Sequence, residues 1–573
     1  MKTLRRTDVV IVGGGWSGLL LAKELGGRTP LSVVVLERGG PRKTADYFEG
    51  MDELDYAIRY RMMQDVSKET VTFRHAARDR ALPIRQFASF LPGTGTGGSG
   101  EHWNGTAPRF LPASFQMHTH TLERYGPSRL PANHAIQDWG VSYDELEPYY
   151  TRAEQLLGIS GVGSESFEGP RSAPYPTPPL KMGYFPTLFS EAARSLGYHP
   201  FPSPAANLSE AYRNSDGVVR PACQYCGFCE RFGCMVGAKA QPTNTLLAVI
   251  ARQRNVSVRT GANVRRVRYK DGKATGVLYV DSNGQEAFQP ADLVVLASWT
   301  LNNTRLLLLS DIGRSYDPSS GRGQVGRNLT HQAQIRSPIL FFDRPLNRFM
   351  GSGANSVVIR DLDGDNFDHR EADFIGGAYI LGQALGYRPI ANFGLVPPSV
   401  QSDWGSAWKK AAVELFDQTA SLQISGEHLA YRTNYLDLDP TYRDSHGDPL
   451  LRMTMDWNDN ERNLLHFMAA KMELVGRAIG AREVVTASPL RRYDVTAYKG
   501  SHTQGGTIMG SKPDTAVLNP WLQHWQVSNL FILGASSFPQ NPSGNPTLTV
   551  LALTMRTCDA IVNRNLKHPG PLV

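Results

Sequence analysis

The segment DVVIVGGGWSGLLLAKELGGRTPLSVVVLE, residues 8–37, decides the fold of this chain. Its first five residues have the apolar, β-branched composition of a buried parallel strand. Gly13, Gly15 and Gly18 then give the spacing GxGxxG at the start of a predicted helix, and a second apolar strand ends at Glu37. This order of strand, glycine turn, helix and strand predicts a Rossmann-like nucleotide-binding domain.

Each glycine of the turn has its own physical task. Gly13 permits the tight turn, Gly15 lets the backbone approach a diphosphate, and Gly18 lets the helix pack closely on the strand. The amino terminus of the helix then faces the negative charge of the diphosphate. Glu37 is placed to accept hydrogen bonds from the adenosine ribose, which disfavours NADP. FAD, NAD and a glycine turn without a ligand all remain open from this motif.

The length and charge of the chain limit its class. A chain of 573 residues exceeds what one hydrophobic core usually organises, so two domains are expected. Its net charge of +7 is scattered, without a basic block or an aromatic–basic repeat, which argues against nucleic acid as a partner. An acidic redox partner or an anionic membrane surface remains compatible with this charge.

The sequence predicts no membrane anchor of its own. Its longest apolar runs are strand-sized and fall well short of the roughly 18 residues that span a bilayer. The start, MKTLRRTDVVIVGGG, leads directly into the first strand and leaves no room for a signal peptide. If the protein is exported, another component is expected to carry it.

Four of the five cysteines lie in PACQYCGFCERFGCMVGAKA, residues 221–240. The spacing of Cys223, Cys226, Cys229 and Cys234 differs from the two separated CxxC pairs of a zinc site. It is closer to ferredoxin segments, in which one tight loop places thiolates around an iron–sulfur cluster. A cluster is the favoured hypothesis, with three thiols sufficient for three irons and four for four. Disulfides, zinc and chance are the alternatives.

Local patterns predict the remaining elements. Ser142 is expected to cap a helix in VSYDELEPYYTRAEQLLGISG, and Asp271–Gly272 to join two strands. ADLVVLASWTLNNTRLLLLS reads as a buried strand followed by a helix. Residues 161–204 are rich in Pro, Ser and Gly and are predicted to be loop. The other predictions are helices over 246–254, 460–479 and 546–563, a strand in NLFILGA, and a mixed region with an antiparallel sheet over 337–489.

Two further glycine-rich regions bear on a ligand. In PGTGTGGSGEHWNGTAPRF, residues 92–110, the glycines suit a loop pressed against a flat ligand, although an ordinary turn holding His102 and Trp103 is the alternative. Near the end of the chain, His502 in HTQGGTIMG and Asn545 in GNPTLT lie on glycine-rich turns. Both turns are expected beside the last strand and helix.

Taken together, these segments resemble the glucose–methanol–choline (GMC) family of FAD oxidoreductases. The resemblance runs nearly end to end, through GGGWSG, GTGGSGEHW, SYDELEPYYTRAEQLLG, LASWTLNNTRLLLLS, VGRNLTHQ, HTQGG and GNPTLT. It implies FAD rather than NAD, and an α/β fold whose Rossmann-like FAD-binding domain is joined to a discontinuous α+β substrate domain on an antiparallel sheet. The FAD domain is predicted at 1–110, 221–330 and 495–573, and the substrate domain at 111–220 and 331–494.

The resemblance also implies site residues. His502 matches the active-site histidine of the family and Asn545 the second member of its catalytic pair. His102 stands where some relatives attach the flavin covalently, while others keep this histidine without the bond. Gly534 replaces an aspartate that many members carry. The residues implied to bind FAD are Gly13, Gly15, Gly18, Glu37, Gly97, Gly98, His102, Trp103, Gly534, Asn545 and Pro546.

Within the family, the cysteine segment resembles the flavoprotein subunits of bacterial membrane-bound gluconate 2-dehydrogenases and related sugar and polyol dehydrogenases. Some relatives hold a three-iron cluster there, in a loop that begins with adjacent cysteines. Here Gln224 and Tyr225 separate the first two cysteines. The resemblance favours a 3Fe–4S over a 4Fe–4S cluster, with Cys226, Cys229 and Cys234 as ligands and Cys223 as a fourth.

The function implied is an FAD-dependent dehydrogenase that oxidises a primary or secondary alcohol of a sugar, a sugar acid or a polyol. His502 would take the hydroxyl proton and Asn545 would hold the developing alkoxide. The iron–sulfur cluster would pass electrons to a cytochrome and the quinone pool. The alternatives are a glucoside 3-dehydrogenase, a flavin oxidase like pyranose oxidase, and a non-enzymatic electron-transfer subunit with a vestigial flavin site.

The resemblance implies partners as well. They are a small subunit that bears the export signal and a c-type cytochrome subunit, and they would place the protein in the periplasm at the membrane. The lack of a signal peptide fits this arrangement and fits a cytoplasmic enzyme equally.

Overall fold

The computed structural model describes residues 1–47, 53–54, 62–67, 69–85, 92–163, 167–335, 337–348, 351–383, 390, 394–400, 402–486, 489, 491–496 and 502–572. Residues 497–501, which directly precede His502, thus lie outside the described residues. The strands are β1 (Lys2–Thr3), β2 (Thr7–Val12), β3 (Val33–Leu36), β4 (Thr72–Arg74), β5 (Leu82–Pro83), β6 (Phe201–Pro202), β7 (Tyr212–Arg213), β8 (Val219–Arg220), β9 (Val256–Arg259), β10 (Asn263–Lys270), β11 (Lys273–Val280), β12 (Glu286–Leu296), β13 (Thr330–His331), β14 (Ile339–Phe341), β15 (Ser356–Ile359), β16 (Ala378–Gln383), β17 (Thr419–Gly426), β18 (Tyr435–Arg443), β19 (Pro449–Thr454), β20 (Glu483–Val485), β21 (Thr503–Gln504) and β22 (Leu530–Ile532).

The α-helices are α1 (Trp16–Arg28), α2 (Pro112–Phe115), α3 (Met117–Tyr125), α4 (Tyr143–Leu157), α5 (Tyr184–Ser195), α6 (Ala248–Ile250), α7 (Thr300–Leu309), α8 (Gly405–Glu414), α9 (Asp459–Ala478) and α10 (Thr547–Ala560). None of those that the structure describes is both long and apolar enough to cross a membrane.

A parallel sheet in the order β22-β12-β2-β3-β9 forms the nucleotide-binding layer. Strands β2 and β3 of this sheet are buried almost completely, as their apolar composition predicts. Long strand β12 extends beyond this layer, where it pairs with the hairpin β10–β11 and with β1. Asp271 and Gly272 turn the hairpin with positive φ, as the sequence predicts. The Rossmann-like α/β expectation is confirmed.

A second sheet, in the order β20-β14-β17-β16-β15-β6, is antiparallel throughout. It confirms the antiparallel sheet expected within residues 337–489, and it lines the same large cavity as the glycine turn. Which residues belong to which domain stays a prediction.

Two short pairings position loops. Strands β13 and β21 form a two-residue antiparallel ladder with the register Thr330↔Gln504 and His331↔Thr503. This ladder joins the VGRNLTHQ segment to the segment that begins at His502. A separate four-stranded sheet has the order β18-β19-β4-β5.

The helix predictions succeed where the local signals are strong. Ser142 caps α4 with a complete capping box, in which Glu145 reaches back to the Ser142 backbone. Helices α9 and α10 each begin one residue from their predicted starts, α7 follows strand β12 as predicted, and the predicted NLFILGA strand is β22.

Two local predictions are wrong, in whole or in part. The predicted loop 161–204 contains the twelve-residue helix α5, whose Phe185 and Phe189 are buried in the core. The helix predicted over 246–254 is only one turn, α6, preceded by a turn of π-helix at Thr243–Leu247. In α5, whose two aromatic side chains are buried, tertiary packing therefore overrides local composition.

Candidate active site

A cavity of about 810 Å³ joins the glycine turn to the antiparallel sheet. Its wall includes Gly13, Gly15, Glu37, Gly98, His102, Trp103, Gly534 and Pro546 from the predicted FAD-binding set, and the predicted catalytic residues His502 and Asn545. Two residues of the predicted FAD-binding set, Gly18 and Gly97, do not line the cavity. A cavity of this size is in the range of small-molecule and cofactor sites.

The glycine turn is shaped for a close ligand. A Cβ on Gly13 would lie 2.4 Å from the carbonyl oxygen of Ala297, and one on Gly18 would lie 2.0 Å from the Gly13 oxygen. A Cβ on Gly15 would meet nothing within 4 Å, so this glycine faces open space in the cavity. Gly15 also caps the amino terminus of α1. These features fit a dinucleotide diphosphate at the helix end.

Glu37 holds the turn together from the end of β3. Its Oε2 accepts a hydrogen bond from the Gly14 N–H at 2.9 Å, and its Oε1 accepts from Gly39 and Gly95 at 2.8 and 3.2 Å. The carboxylate therefore ties the glycine turn to the second glycine-rich loop. Its predicted contact with a ribose stays a prediction, and this bracing role is one that the sequence motif alone does not indicate.

The second glycine-rich loop packs directly on the first. The Gly97 N–H donates to the Gly14 oxygen at 2.7 Å, and Gly97 and Gly98 both have positive φ, of 94° and 53°. Trp103 packs edge-on against Trp16, with ring centroids 5.7 Å apart. Trp16 Nε1 has no hydrogen-bond partner among the described residues and belongs to the cavity wall, so a bound cofactor could satisfy this donor. These residues fit FAD.

His502 lies where the β13–β21 ladder opens into the cavity. Its Nδ1 is 2.5 Å from Oε1 of Gln332, the residue that follows β13. Removal from bulk water lowers the pKa of His502 to about 3, and the nearby His331 ring adds to this effect. The ring is therefore neutral near pH 7, as a proton acceptor must be.

Asn545 lies on the turn before α10, next to Gly544. Its Oδ1 accepts a hydrogen bond from the hydroxyl of Tyr379 on β16 at 3.0 Å. Pro546 precedes the first residue of α10 and also lines the cavity. Gly534 has a φ of 100°, and it sits at the end of β22, on the cavity wall.

The antiparallel sheet gives the cavity a polar wall. Ser421, Gln423 and Ser425 lie on one face of β17 and line the cavity, and Tyr379, Leu381 and Gln383 do the same on neighbouring β16, so that Leu381 is the one apolar residue among these six. Their alternation follows from the two-residue period of a strand. Neutral amides and hydroxyls both donate and accept, so this wall suits a substrate with several hydroxyl groups.

The cysteine loop packs against the second glycine-rich loop, and its Glu230 lines the cavity. The Lys239 ammonium is buried and donates to the backbone oxygens of Trp103, Cys229 and Phe232 at 2.6, 2.9 and 2.8 Å. Trp103 Nε1 in turn donates to the Ala240 oxygen at 2.7 Å. The loop and the predicted flavin loop are thus one packed unit.

All four cysteines of the loop are free. Three sulfurs accept N–H hydrogen bonds, Cys223 from Tyr225 at 3.4 Å, Cys229 from Asn207 at 3.6 Å and Cys234 from Lys239 at 3.5 Å. Such bonds are typical around cluster thiolates, so the donors suit a cluster. Within the part of the chain that the structure describes, however, no three His, Cys, Asp or Glu side chains converge closely enough to hold a metal ion.

Sequence reasoning missed two residues of the site. Gln332 and Tyr379 contact the two predicted catalytic residues from segments 170 and 166 positions away. Gln332 belongs to the VGRNLTHQ segment, which contributes to the family resemblance but does not indicate a contact with His502. Tyr379 had no signal at all, because strand composition does not indicate which residues face a cavity.

The chain is similar to several known proteins. Two family profiles, both described as GMC oxidoreductase, match residues 181–334 and 430–554. A gluconate 2-dehydrogenase flavoprotein from Pantoea cypripedii is 42% identical, over 100% of this chain and 96% of that protein. A fructose dehydrogenase large subunit from Gluconobacter japonicus is 28% identical, over 97% of this chain and 98% of that protein.

Among solved structures, a pyridoxine 4-oxidase from Mesorbium loti has the same fold, with a TM-score of 0.61 and 18% identity. The match covers 97% of this chain and 99% of that one.

Proposed function

Because the chain belongs to the GMC oxidoreductase family, we propose that it is an FAD-dependent dehydrogenase that oxidises a primary or secondary alcohol of a sugar, a sugar acid or a polyol. One observation carries the proposal: His502 and Asn545 line the same cavity as the glycine turn and the polar side chains of the antiparallel sheet. Gluconate and fructose are the substrates named for two relatives, and both are polyhydroxy compounds.

Each group of residues in the site has its own proposed role. Gly13, Gly15 and the start of α1 would hold the diphosphate, and the loop from Gly97 to Trp103 would flank the flavin. When bound, FAD supplies the acceptor for the hydride that leaves the carbinol carbon. His502 accepts the hydroxyl proton on the ring nitrogen that Gln332 does not contact, Nε2. The Asn545 amide donates to the substrate oxygen as negative charge develops there.

The test is an anaerobic screen of gluconate, fructose, sorbitol, glucose and alkyl glucosides against the FAD-loaded protein. We expect at least one compound to bleach the flavin, with one carbonyl formed per flavin. Failure of every compound, in a sample that dithionite still bleaches, would contradict the proposal. In air, peroxide produced at the rate of substrate oxidation would identify an oxidase instead, and the oxidised position of a glucoside would identify a glucoside 3-dehydrogenase.

We also propose that residues 221–240 bind an iron–sulfur cluster, 3Fe–4S rather than 4Fe–4S. Four free thiols within twelve residues, with N–H donors on three sulfurs, support it. Such a cluster would supply a one-electron path toward a cytochrome and the quinone pool. Iron and sulfide should be present in the purified protein, should be lost in Cys229→Ser and should be unchanged in Cys558→Ser, which alters the remote cysteine. Equal iron content in the two variants would contradict the proposed cluster.

We further propose that the protein works in the periplasm, held at the membrane by a small subunit with an export signal and a c-type cytochrome subunit. The name of one relative, a dehydrogenase large subunit, supports a heteromeric enzyme. The expected result is that the tagged protein recovers both subunits from its source membranes. Recovery of the chain alone from the cytoplasm would favour the cytoplasmic alternative.

A covalent bond between FAD and His102 remains a separate prediction. His102 is buried and lines the cavity, so its ring is within the shell that would surround the cofactor. Acid precipitation decides the question, because a covalent flavin stays with the pellet and a noncovalent one stays in solution.

A further inference from the structure

We propose that Gln332 is a positioning residue that fixes the ring orientation and tautomer of His502, so that the lone pair of Nε2 faces the substrate hydroxyl. This inference rests on the proposed role of His502 as the proton acceptor. It adds to that role a residue that neither the glycine motif nor the catalytic pair indicates.

Backbone pairing brings the two side chains together. In the β13–β21 ladder, Thr330 pairs with Gln504 and His331 with Thr503. The antiparallel register therefore puts the next residue after β13, Gln332, across from the residue before β21, His502. Oε1 of Gln332 lies 2.5 Å from Nδ1 of His502. Gln332 is fully buried, whereas part of His502 is exposed toward the cavity that both residues line.

The second bond of Gln332 determines which way its amide points. Its Nε2 donates to the carbonyl oxygen of Gly544. The opposite orientation would place the amide oxygen against that carbonyl, so that two buried acceptors would face each other with no hydrogen between them. The amide oxygen is therefore the atom that faces His502. Because an oxygen can only accept, Nδ1 of His502 must carry the proton.

This tautomer is the one that the proposed reaction needs. A neutral imidazole with its proton on Nδ1 has its lone pair on Nε2, ready to accept a proton. When Nε2 takes up the proton, the Nδ1–H still donates to Gln332, so the same bond stabilises the cationic ring. Gly544 immediately precedes Asn545, so the one amide also ties the histidine to the turn of the second catalytic residue.

The surroundings bear on how this pair titrates. Among the described residues, the titratable side chains around this pair include His331 on β13 and Tyr379 on β16. They also include His428, whose Nδ1 lies 3.0 Å from the backbone oxygen of His331. A positive charge on His331 disfavours a second one on His502. No carboxylate acts on the ring in the part of the chain described, so a carboxylate placed at position 332 would dominate the titration of His502.

Two substitutions test the assignment through the pH dependence of anaerobic flavin reduction. Gln332→Glu keeps an acceptor at Nδ1 but adds a negative charge, so the acid limb of the reduction rate should move to higher pH by at least one unit. Gln332→Leu should lower the rate at saturating alcohol about tenfold to a hundredfold, with less than a threefold change in the half-saturating concentration. The control is Gln324→Leu, which removes an amide bonded to Asp514 away from the cavity.

An acid limb that does not move in Gln332→Glu, or a wild-type rate in Gln332→Leu, would overturn the assignment. FAD content and circular dichroism establish that each variant is folded, and the Glu variant carries the test if the Leu variant does not fold.

A readout without turnover separates this inference from the proposed function. In protein labelled with 15N-histidine, the ring signals of His502 are identified by their loss in His502→Asn. We expect a protonated Nδ1 in the wild type and a shift toward protonated Nε2 in Gln332→Leu. A protonated Nε2 in the wild type would overturn the positioning role even if an alcohol reduces the flavin. If no alcohol does, the proposed function fails while the tautomer is still measured.

Discussion

The hydroxyl of Tyr379 fixes the orientation of the Asn545 side-chain amide. Its Oδ1 accepts a hydrogen bond from the buried hydroxyl of Tyr379, which leaves the Nδ2 donor for the cavity. The amide would otherwise be free to turn its oxygen toward the substrate, where it would repel a developing alkoxide. Under the proposed mechanism, Tyr379 would therefore act on the substrate through Asn545, as Gln332 would act through His502.

Tyr379→Phe removes this hydroxyl and keeps the ring. We expect the rate of flavin reduction to fall about 3- to 10-fold, which corresponds to one hydrogen bond of about 1 kcal/mol. Anaerobic stopped-flow absorbance measures it, and Tyr269→Phe, at an exposed position of β10, is the control. An unchanged rate in Tyr379→Phe would show that Asn545 needs no such support.

A buried carboxyl gives the fold a pH dependence. Glu427 accepts a hydrogen bond from the Gly377 N–H at 2.8 Å, and burial, together with the charge of nearby Asp363, raises the pKa of Glu427 to about 8. The folded state therefore holds a proton that the unfolded state releases at a lower pH. Stability from this group is present below about pH 4.5 and is lost progressively as pH rises through about 8.

Glu427→Gln should remove the loss of stability at higher pH, because an amide does not titrate. Its amide oxygen can still accept the hydrogen bond from the Gly377 N–H. The melting temperature of the variant relative to wild type is expected to rise steadily between pH 5 and 8.5, as followed by circular dichroism. A difference that stays constant with pH would mean that Glu427 titrates normally. Glu414→Gln, on the exposed side of α8, serves as the matched control.

Among the structural elements, those with strong local signals were predictable and those held by packing were not. The glycine turn, the capping box of α4 and the β10–β11 hairpin follow from residues within a few positions of one another. Helix α5 does not, because Phe189 packs on Gly382 of β16, where a Cβ would approach its ring to 2.3 Å. Only the folded partner shows that this Pro- and Gly-rich segment has a surface to pack on.

The glycine turn itself offers a test of the cofactor site. Gly15 has a negative φ and open space around its Cα, so Gly15→Ala should fold normally. A methyl group there would occupy space needed by the diphosphate, and we expect FAD affinity to fall at least about tenfold, or about 1.4 kcal/mol. Fluorescence titration of the apoprotein measures this. Gly40→Ala, which also meets nothing within 4 Å, should bind FAD as the wild type does. Equal affinity in both variants would place the cofactor elsewhere.

For the molecule as a whole, family membership was predictable from ordered motifs along the chain, and the comparisons confirm it. The FAD-binding segments, His502 and Asn545 were found through that resemblance, and they do line one cavity. The partners of the catalytic pair, Gln332 and Tyr379, were not found, because contacts across more than 160 positions leave no periodic or local trace. Motifs therefore indicated where the proposed active site lies, and only the fold shows which side chains contact its residues.

The most direct test is the rate constant for anaerobic reduction of bound FAD by an alcohol substrate in His502→Ala. Loss of a general base should lower this rate about 10²- to 10⁴-fold while FAD content stays the same, and the exposed control His446→Ala should match the wild type. A His502→Ala protein that reduces its flavin at the wild-type rate would contradict the assignment of the active site.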